Sequence, residues 1–152
     1  MAGGRPEGRD RVKHVAPRRA GAAGPRRYRG PPHNAEDAMT FYVSLFDDSE
    51  VVHVTRYGAE GPGKEGTVRH ATFSPAGRQL MCVDSPVQHD FTFTPAISLF
   101  VQCADEAELD RLYTALAEGG TELMPLGDYG FSARFGWIND RFSVSWQLNL
   151  PA

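Results

Sequence analysis

Apolar positions recur along this chain in one pattern that occurs twice. In the first copy Asn34-Ala35-Glu36-Asp37 leads into Ala38, Phe41, Tyr42 and Leu45. In the second, Asp105-Glu106-Ala107-Glu108 leads into Leu109, Leu112, Tyr113 and Leu116. Each copy offers a capping residue, an acid close behind it, and then apolar residues at i, i+3, i+4 and i+7. That spacing predicts an amphipathic helix with one buried stripe, over 35–46 and 105–118. Turn residues follow each helix, Asp47-Asp48-Ser49 and Gly119-Gly120.

After each turn the period changes from helical to alternating. Strands are expected at 50–57, 67–73 and 79–84 in the first copy, with Ser74-Pro75-Ala76-Gly77 as a hairpin turn. The second copy has 121–126, 132–137 and 142–150, with a turn at Ile138-Asn139-Asp140-Arg141. Before its helix lies Ala96-Ile97-Ser98-Leu99-Phe100-Val101, an almost continuous apolar run that suits a central strand. The second copy therefore reads strand, helix, strand, strand, strand. The first lacks its leading strand, because Arg26-Arg27-Tyr28-Arg29-Gly30-Pro31-Pro32-His33 cannot alternate apolar and polar faces. A repeat of about 60 residues suits two copies of one small module that share a core. The glycine-rich loop 58–66 has no Gly-Lys-Ser/Thr and reads as a flexible connection, and 85–94 is a polar and aromatic linker.

Charge changes the picture only at the N-terminal end. Residues 1–32 hold nine of the 16 Lys and Arg and two of the 19 acids, a net of +7, whereas the rest of the chain carries −10. Residues 1–33 are built from Gly, Ala, Pro and Arg, have almost no core formers, and are expected to be disordered. A basic arm suits nucleic acid, but only Tyr28 is available for stacking and the domain behind is acidic, so no nucleic-acid partner is expected. No apolar run is long enough for a bilayer or a signal peptide, which points to a cytoplasmic protein with no membrane partner. Cys82 and Cys103 sit in strand-like runs without CxxC spacing. Small buried hydrophobes explain them better than a disulfide or a reactive thiol.

Four stretches carry a family resemblance. They are Ala35-Glu36-Asp37-Ala38-Met39-Thr40-Phe41-Tyr42, Val54-Thr55-Arg56-Tyr57-Gly58, Phe93-Thr94-Pro95-Ala96-Ile97-Ser98, and Phe142-Ser143-Val144-Ser145-Trp146-Gln147. The combination resembles the PhnB-like branch of the vicinal oxygen chelate superfamily, which includes glyoxalases, bleomycin-resistance proteins and ring-cleaving dioxygenases. Its PhnB-like members often carry the label 3-demethylubiquinone 3-methyltransferase. The resemblance spans 34–151 and implies an α+β fold of paired βαβββ modules around a cavity, usually in a homodimer. Module one is then 34–85 and module two 95–151. The first strand of module one is expected to be missing, as truncation or a shifted reading frame upstream of His33 would leave it.

The resemblance also supplies a test of chemistry. Metal-using members place ligands on the first and last strands of both modules. Here those positions fall on Met81 or Cys82, on Ala96 where glyoxalases have His, and on Gln147 where Glu is expected. A divalent catalytic metal wants about three His or carboxylate ligands, so no metal and no other cofactor are expected. Alternation puts Ser145 and Gln147 on one face of the last strand and Val144, Trp146 and Leu148 on the other. Gln147 then faces the cavity and Trp146 packs under a helix.

The candidate ligand-binding set is Gln147, Ser145, Ser98, Phe100, Met81, His70 and Trp137. No catalytic residue is assigned. A lone strand histidine such as His70 is more often structural than functional, and Asp84 is more often a turn acid. Phe91, Phe93 and Phe135 suit either a pocket wall or the core. No nucleophile signature and no glycine-rich adenosyl-cofactor turn is present. The residues favour a metal-independent module that binds a small apolar or aromatic molecule over an enzyme of the superfamily, such as a metal-dependent lyase, isomerase or dioxygenase. An inactive truncated or frame-shifted member is the third reading.

Overall fold

The computed structural model describes the backbone of residues 12–15 and all of 34–152. The second module follows the expected order: β5 (Ser98–Gln102), α2 (Glu106–Ala117), β6 (Thr121–Gly127), β7 (Arg134–Asn139) and β8 (Ser145–Leu150). The first contributes α1 (Ala35–Leu45), β2 (Glu50–Arg56), β3 (Val68–Ser74) and the short β4 (Leu80–Cys82). Strands β2-β3-β4 form one antiparallel sheet. A second sheet has the order β1-β5-β8-β7-β6, with β5 and β8 parallel and the other pairs antiparallel.

Strand β1 (Val12–Val15) lies within the segment expected to be disordered, and the rest of that segment falls outside the described residues. It pairs with β5 of module two, Val12 opposite Val101. Its Val-Lys-His-Val sequence alternates too weakly to read as a core strand, yet an edge position tolerates a Lys and a His. Among the described residues no strand lies directly before α1, and β4 has a strand neighbour on one side only.

Helix ends are held differently in the two modules. At α2, Asp105 Oδ1 accepts from the Glu108 amide at 2.8 Å, and Glu108 Oε2 accepts from the Ala104 amide at 2.7 Å. This is the reciprocal cap that the spacing predicts, with the glutamate reaching one residue further back, to the amide before the cap. At α1, Asn34 makes no side-chain cap bond. The acceptor there is the buried Asp84, whose Oδ1 takes the Ala35 amide at 3.0 Å while its Oδ2 takes the Val68 amide at 2.8 Å. The buried stripe of α1 is also shifted from the expected one. Ala35, Met39, Tyr42 and Leu45 are buried, whereas Ala38 and Phe41 are only partly covered.

One apolar core joins the modules. The Tyr42 ring stacks on Phe73 of module one, with centroids 6.4 Å apart, and packs on Trp146 of module two at 5.3 Å. Leu109, Leu112 and Leu116 of α2 are fully buried beside Trp146 and Leu148. The side of the helix pair is closed by Arg111, which donates to the Leu45 carbonyl at 2.7 Å. Each sheet thus has one face under a helix and one face open. Glycines are needed where chain segments press together. A Cβ on Gly120 would come within 2.4 Å of the Asn139 carbonyl oxygen, and one on Gly63 within 2.5 Å of the Tyr57 ring. The glycine loop 58–66 therefore folds down over Tyr57 rather than serving only as a spacer.

Candidate functional site

The open face of the second sheet follows from strand register. Phe100 pairs with Gln147, and Gln147 pairs with Trp137 on its other side, so all three share a face. Ser98 and Ser145, two residues earlier on their strands, share that face. Their hydroxyls are 2.9 Å apart, and the Trp137 indole Nε1 donates to Ser145 Oγ at 2.8 Å. Five of the seven candidates are therefore brought together. Both serines are buried, at 3% and 2% exposure, while Phe100, Trp137 and Gln147 are half-buried.

The other two candidates lie on the first sheet. His70 pairs with Thr55 and Met81 with Thr72, on the face turned away from α1. His70 is exposed and Met81 is 67% exposed, on the free side of β4. The residues whose role was left open divide. Phe135 is buried in a ring cluster with Tyr129 and Phe131, and Phe91 and Phe93 are exposed.

Across β5, β8 and β7 the open face carries no ionisable side chain. Besides the five site residues it presents Gln102, Asn149, Asn139 and Phe135. The Gln147 amide is the strongest ligand there, and Ala96 offers none, so this donor set does not fit a catalytic divalent ion. Among the described residues no cluster of His, Cys, Asp or Glu has the geometry of a metal site.

Between the modules lies a cavity of about 440 Å3. Leu80 of β4, Leu99 of β5, and Val144 and Ser145 at the start of β8 form its walls. The connection 92–97 forms its rim, with Phe93 and Ile97 largely exposed. Of its lining, Ser145 belongs to the candidate ligand-binding set and Phe93 to the aromatics expected in a pocket wall or the core. The alternating Phe91-Thr92-Phe93-Thr94 was the available signal, and it does not reveal which wall the segment meets.

Sequence reasoning also passed over Asp140, a turn residue in the chain. Its carboxylate is buried and accepts from Tyr42 Oη (2.7 Å), Trp146 Nε1 (2.8 Å), and the Phe142 and Val144 amides (2.8 and 3.0 Å). Burial raises its pKa above the ordinary aspartate value, and the four donors offset part of that rise. Cys82 and Cys103 are free thiols, and Cys103 is buried. Burial, with the nearby Asp84 carboxylate, pushes the Cys82 thiol up to about 11. Only the thiolate attacks alkylating agents, so at pH 8 native Cys82 should react about 100-fold more slowly than an ordinary cysteine. Iodoacetamide labelling followed by mass spectrometry checks this, and labelling at the rate of the urea-unfolded chain would refute it.

The 3-demethylubiquinone-9 3-methyltransferase family model matches residues 31–149. The chain belongs to this PhnB-like family of the vicinal oxygen chelate superfamily. Among solved structures, it is 58% identical to a PhnB protein of Bacillus cereus that carries the same methyltransferase description. That match covers 78% of this chain and 92% of the other, with a TM-score of 0.76. A second, protein PA1353 of Pseudomonas aeruginosa, is 28% identical over 78% of this chain and 90% of its own, with a TM-score of 0.67. No curated protein matches the chain. The PhnB-like membership agrees with paired α+β modules, and among the described residues no helix is long and apolar enough to cross a membrane.

Proposed function

We propose that this PhnB-like chain is a metal-independent protein that binds a small apolar or aromatic molecule. One observation carries the reading. Across β5, β8 and β7 the open face of the second sheet combines aromatic walls, Phe100 and Trp137, with neutral polar groups and no ionisable side chain. Such a face desolvates an uncharged ligand at little cost and lacks the groups that a metal-dependent lyase or dioxygenase needs. The methyltransferase description belongs to the relatives that bear it. Here the junction from β5 to α2 is Cys103-Ala104-Asp105, without glycine, and Asp105 is used to cap its own helix. Those residues do not fit an adenosyl cofactor. Two free thiols suit a reducing cytoplasm.

A thermal-shift panel of uncharged aromatic compounds, with zinc, nickel and manganese in parallel, tests the reading. At 100 times Kd a ligand adds about 2.7 kcal/mol, or roughly 5–10 °C for a domain of this size. At least one neutral aromatic should reach that shift, and Phe100→Ala should weaken its binding about tenfold. Stoichiometric, tight metal binding would overturn the claim.

The free side of β4 is the surface on which we expect a second copy of the chain to dock. Met81 and Val83 are 67% and 55% exposed beside backbone groups that have no strand neighbour among the described residues. Sedimentation should show a dimer that Met81→Lys shifts toward monomer. A wild-type monomer at all concentrations would exclude this.

A further inference from the structure

We propose that the open face of the second sheet holds a flat, uncharged ring that carries a cyclic amide, an N–H beside a C=O, and that Gln147 reads this edge. The inference rests on the small-molecule reading and narrows it to one ligand chemistry and one reading residue.

Strand register fixes where Gln147 stands. Strand β8 lies between β5 and β7, so Phe100 and Trp137 flank Gln147 on either side, each one strand spacing away, about 5 Å. Gly136 faces the other way, since a Cβ there would come within 2.6 Å of the Tyr113 ring of α2. Its neighbour Trp137 therefore points away from the helix, and Gln147 with it. Trp146 and Leu148, on either side of Gln147 in the chain, belong to the shared core.

The polar side chains around Gln147 are engaged with one another. The Ser98 and Ser145 hydroxyls are 2.9 Å apart, and the Trp137 indole donates to Ser145 Oγ at 2.8 Å. Asn149 Nδ2 donates to Gln102 Oε1 at 3.2 Å. Gln147 is different. Among the described residues its amide has no hydrogen-bond partner, although the residue is half-buried between two aromatic rings. An amide carries an acceptor and a donor side by side, and both are present whichever way round it is turned.

The ligand chemistry follows from that pair. A cyclic amide offers a donor and an acceptor on adjacent atoms and satisfies both at once. A ketone or ether takes only the Gln147 N–H and leaves its carbonyl oxygen without a partner once water is displaced. A carboxylate or an ammonium would give up its hydration with no ion partner on β5, β8 or β7. The flanking rings favour a flat body, in stacked or edge-on contact. By excluding water they also strengthen the hydrogen bonds made at its edge.

Isothermal titration of the full chain with three ring compounds tests this. They are 2-quinolone, which holds a cyclic amide, its N-methyl derivative, whose N–H is blocked, and naphthalene, a ring of the same size with neither group. The quinolone should bind about threefold to tenfold tighter than the N-methyl compound, the usual worth of one hydrogen bond. Gln147→Met keeps the length of the side chain without its hydrogen bonds. It should abolish that preference while leaving naphthalene binding unchanged. Equal binding of the two quinolones by the wild-type chain overturns the inference, and so does a preference that persists in Gln147→Met. If naphthalene binds in either case, the small-molecule reading stands without the amide. Failure of all three compounds to bind sinks both. The comparison of compounds on the wild-type chain holds even where the variant fails to fold.

Discussion

Replacing Asp140 with Ala should lower stability by about 3–5 kcal/mol, the sum expected when several buried neutral donors lose one acceptor together. Four donors converge on this carboxylate: the Tyr42 hydroxyl, the Trp146 indole, and the Phe142 and Val144 amides. Each left unpartnered in the interior costs about 1–3 kcal/mol, less whatever relaxation recovers. At about 2–4 °C per kcal/mol, the melting temperature should fall by roughly 10 °C or more. The loss also separates the modules, since Tyr42 belongs to α1 and Trp146 to β8. Near-ultraviolet circular dichroism of the two tryptophans should weaken before the far-ultraviolet signal does. Thermal melting within a degree or two of wild type would show that the carboxylate contributes little.

The same residue predicts a pH dependence, and its sign follows from linkage. Burial raises the pKa of Asp140 in the folded chain above its unfolded value. The folded state then binds more protons over the window that starts near the ordinary aspartate pKa and ends at the raised one. Stability from this group is therefore full below that window and declines as pH rises through it. Relative to Asp140→Asn, which does not titrate, the wild type should gain stability as pH is lowered from neutrality toward about 4. Urea unfolding of both proteins at a series of pH values measures the difference. A difference that shrinks on acidification would reverse the assignment.

Asp84→Ala should cost about 2–4 kcal/mol. Two effects add, loss of a helix N-terminal cap (about 1 kcal/mol, up to 2) and an orphaned buried amide at Val68 (about 1–3 kcal/mol). Both oxygens are in use, one on the first amide of α1 and one on β3. Asp84→Asn keeps a single acceptor oxygen, so it should recover only part of the loss. Amide hydrogen exchange gives the local readout. Ala35 and Val68 should lose protection in the Ala variant ahead of the β7 and β8 amides, and uniform loss across the chain would argue against a local clamp.

These two acids mark where a sequence reading stops. Both were legible only as turn residues, because their partners are far away in the chain. Asp84 takes an amide 49 residues distant, and Asp140 a hydroxyl 98 residues distant. No local pattern records such a pairing. The same holds for the cavity, whose wall residues come from β4, β5, β8 and a linker and meet only because the two modules share one core. It holds also for β1, which has a weak pattern of its own and gains its order from pairing with β5.

What the sequence determined by itself is what short-range physics controls. The period of 3.6 placed both helices to within a residue or two, and the Asp105–Glu108 spacing placed the cap of α2. The period of two put Ser145 and Gln147 on one face and Trp146 beneath the helices, because a strand can turn its side chains only two ways. In α1 the same reasoning slipped by a few tens of degrees, exchanging Ala38 and Phe41 for Ala35 and Met39. Nearly every side of that helix offers an apolar residue, so only the sheets it lies against select which are buried. Which donors surround a buried carboxylate, and which walls close a cavity, were decided by the tertiary structure, because each depends on atoms that the chain brings together only when both modules share their core.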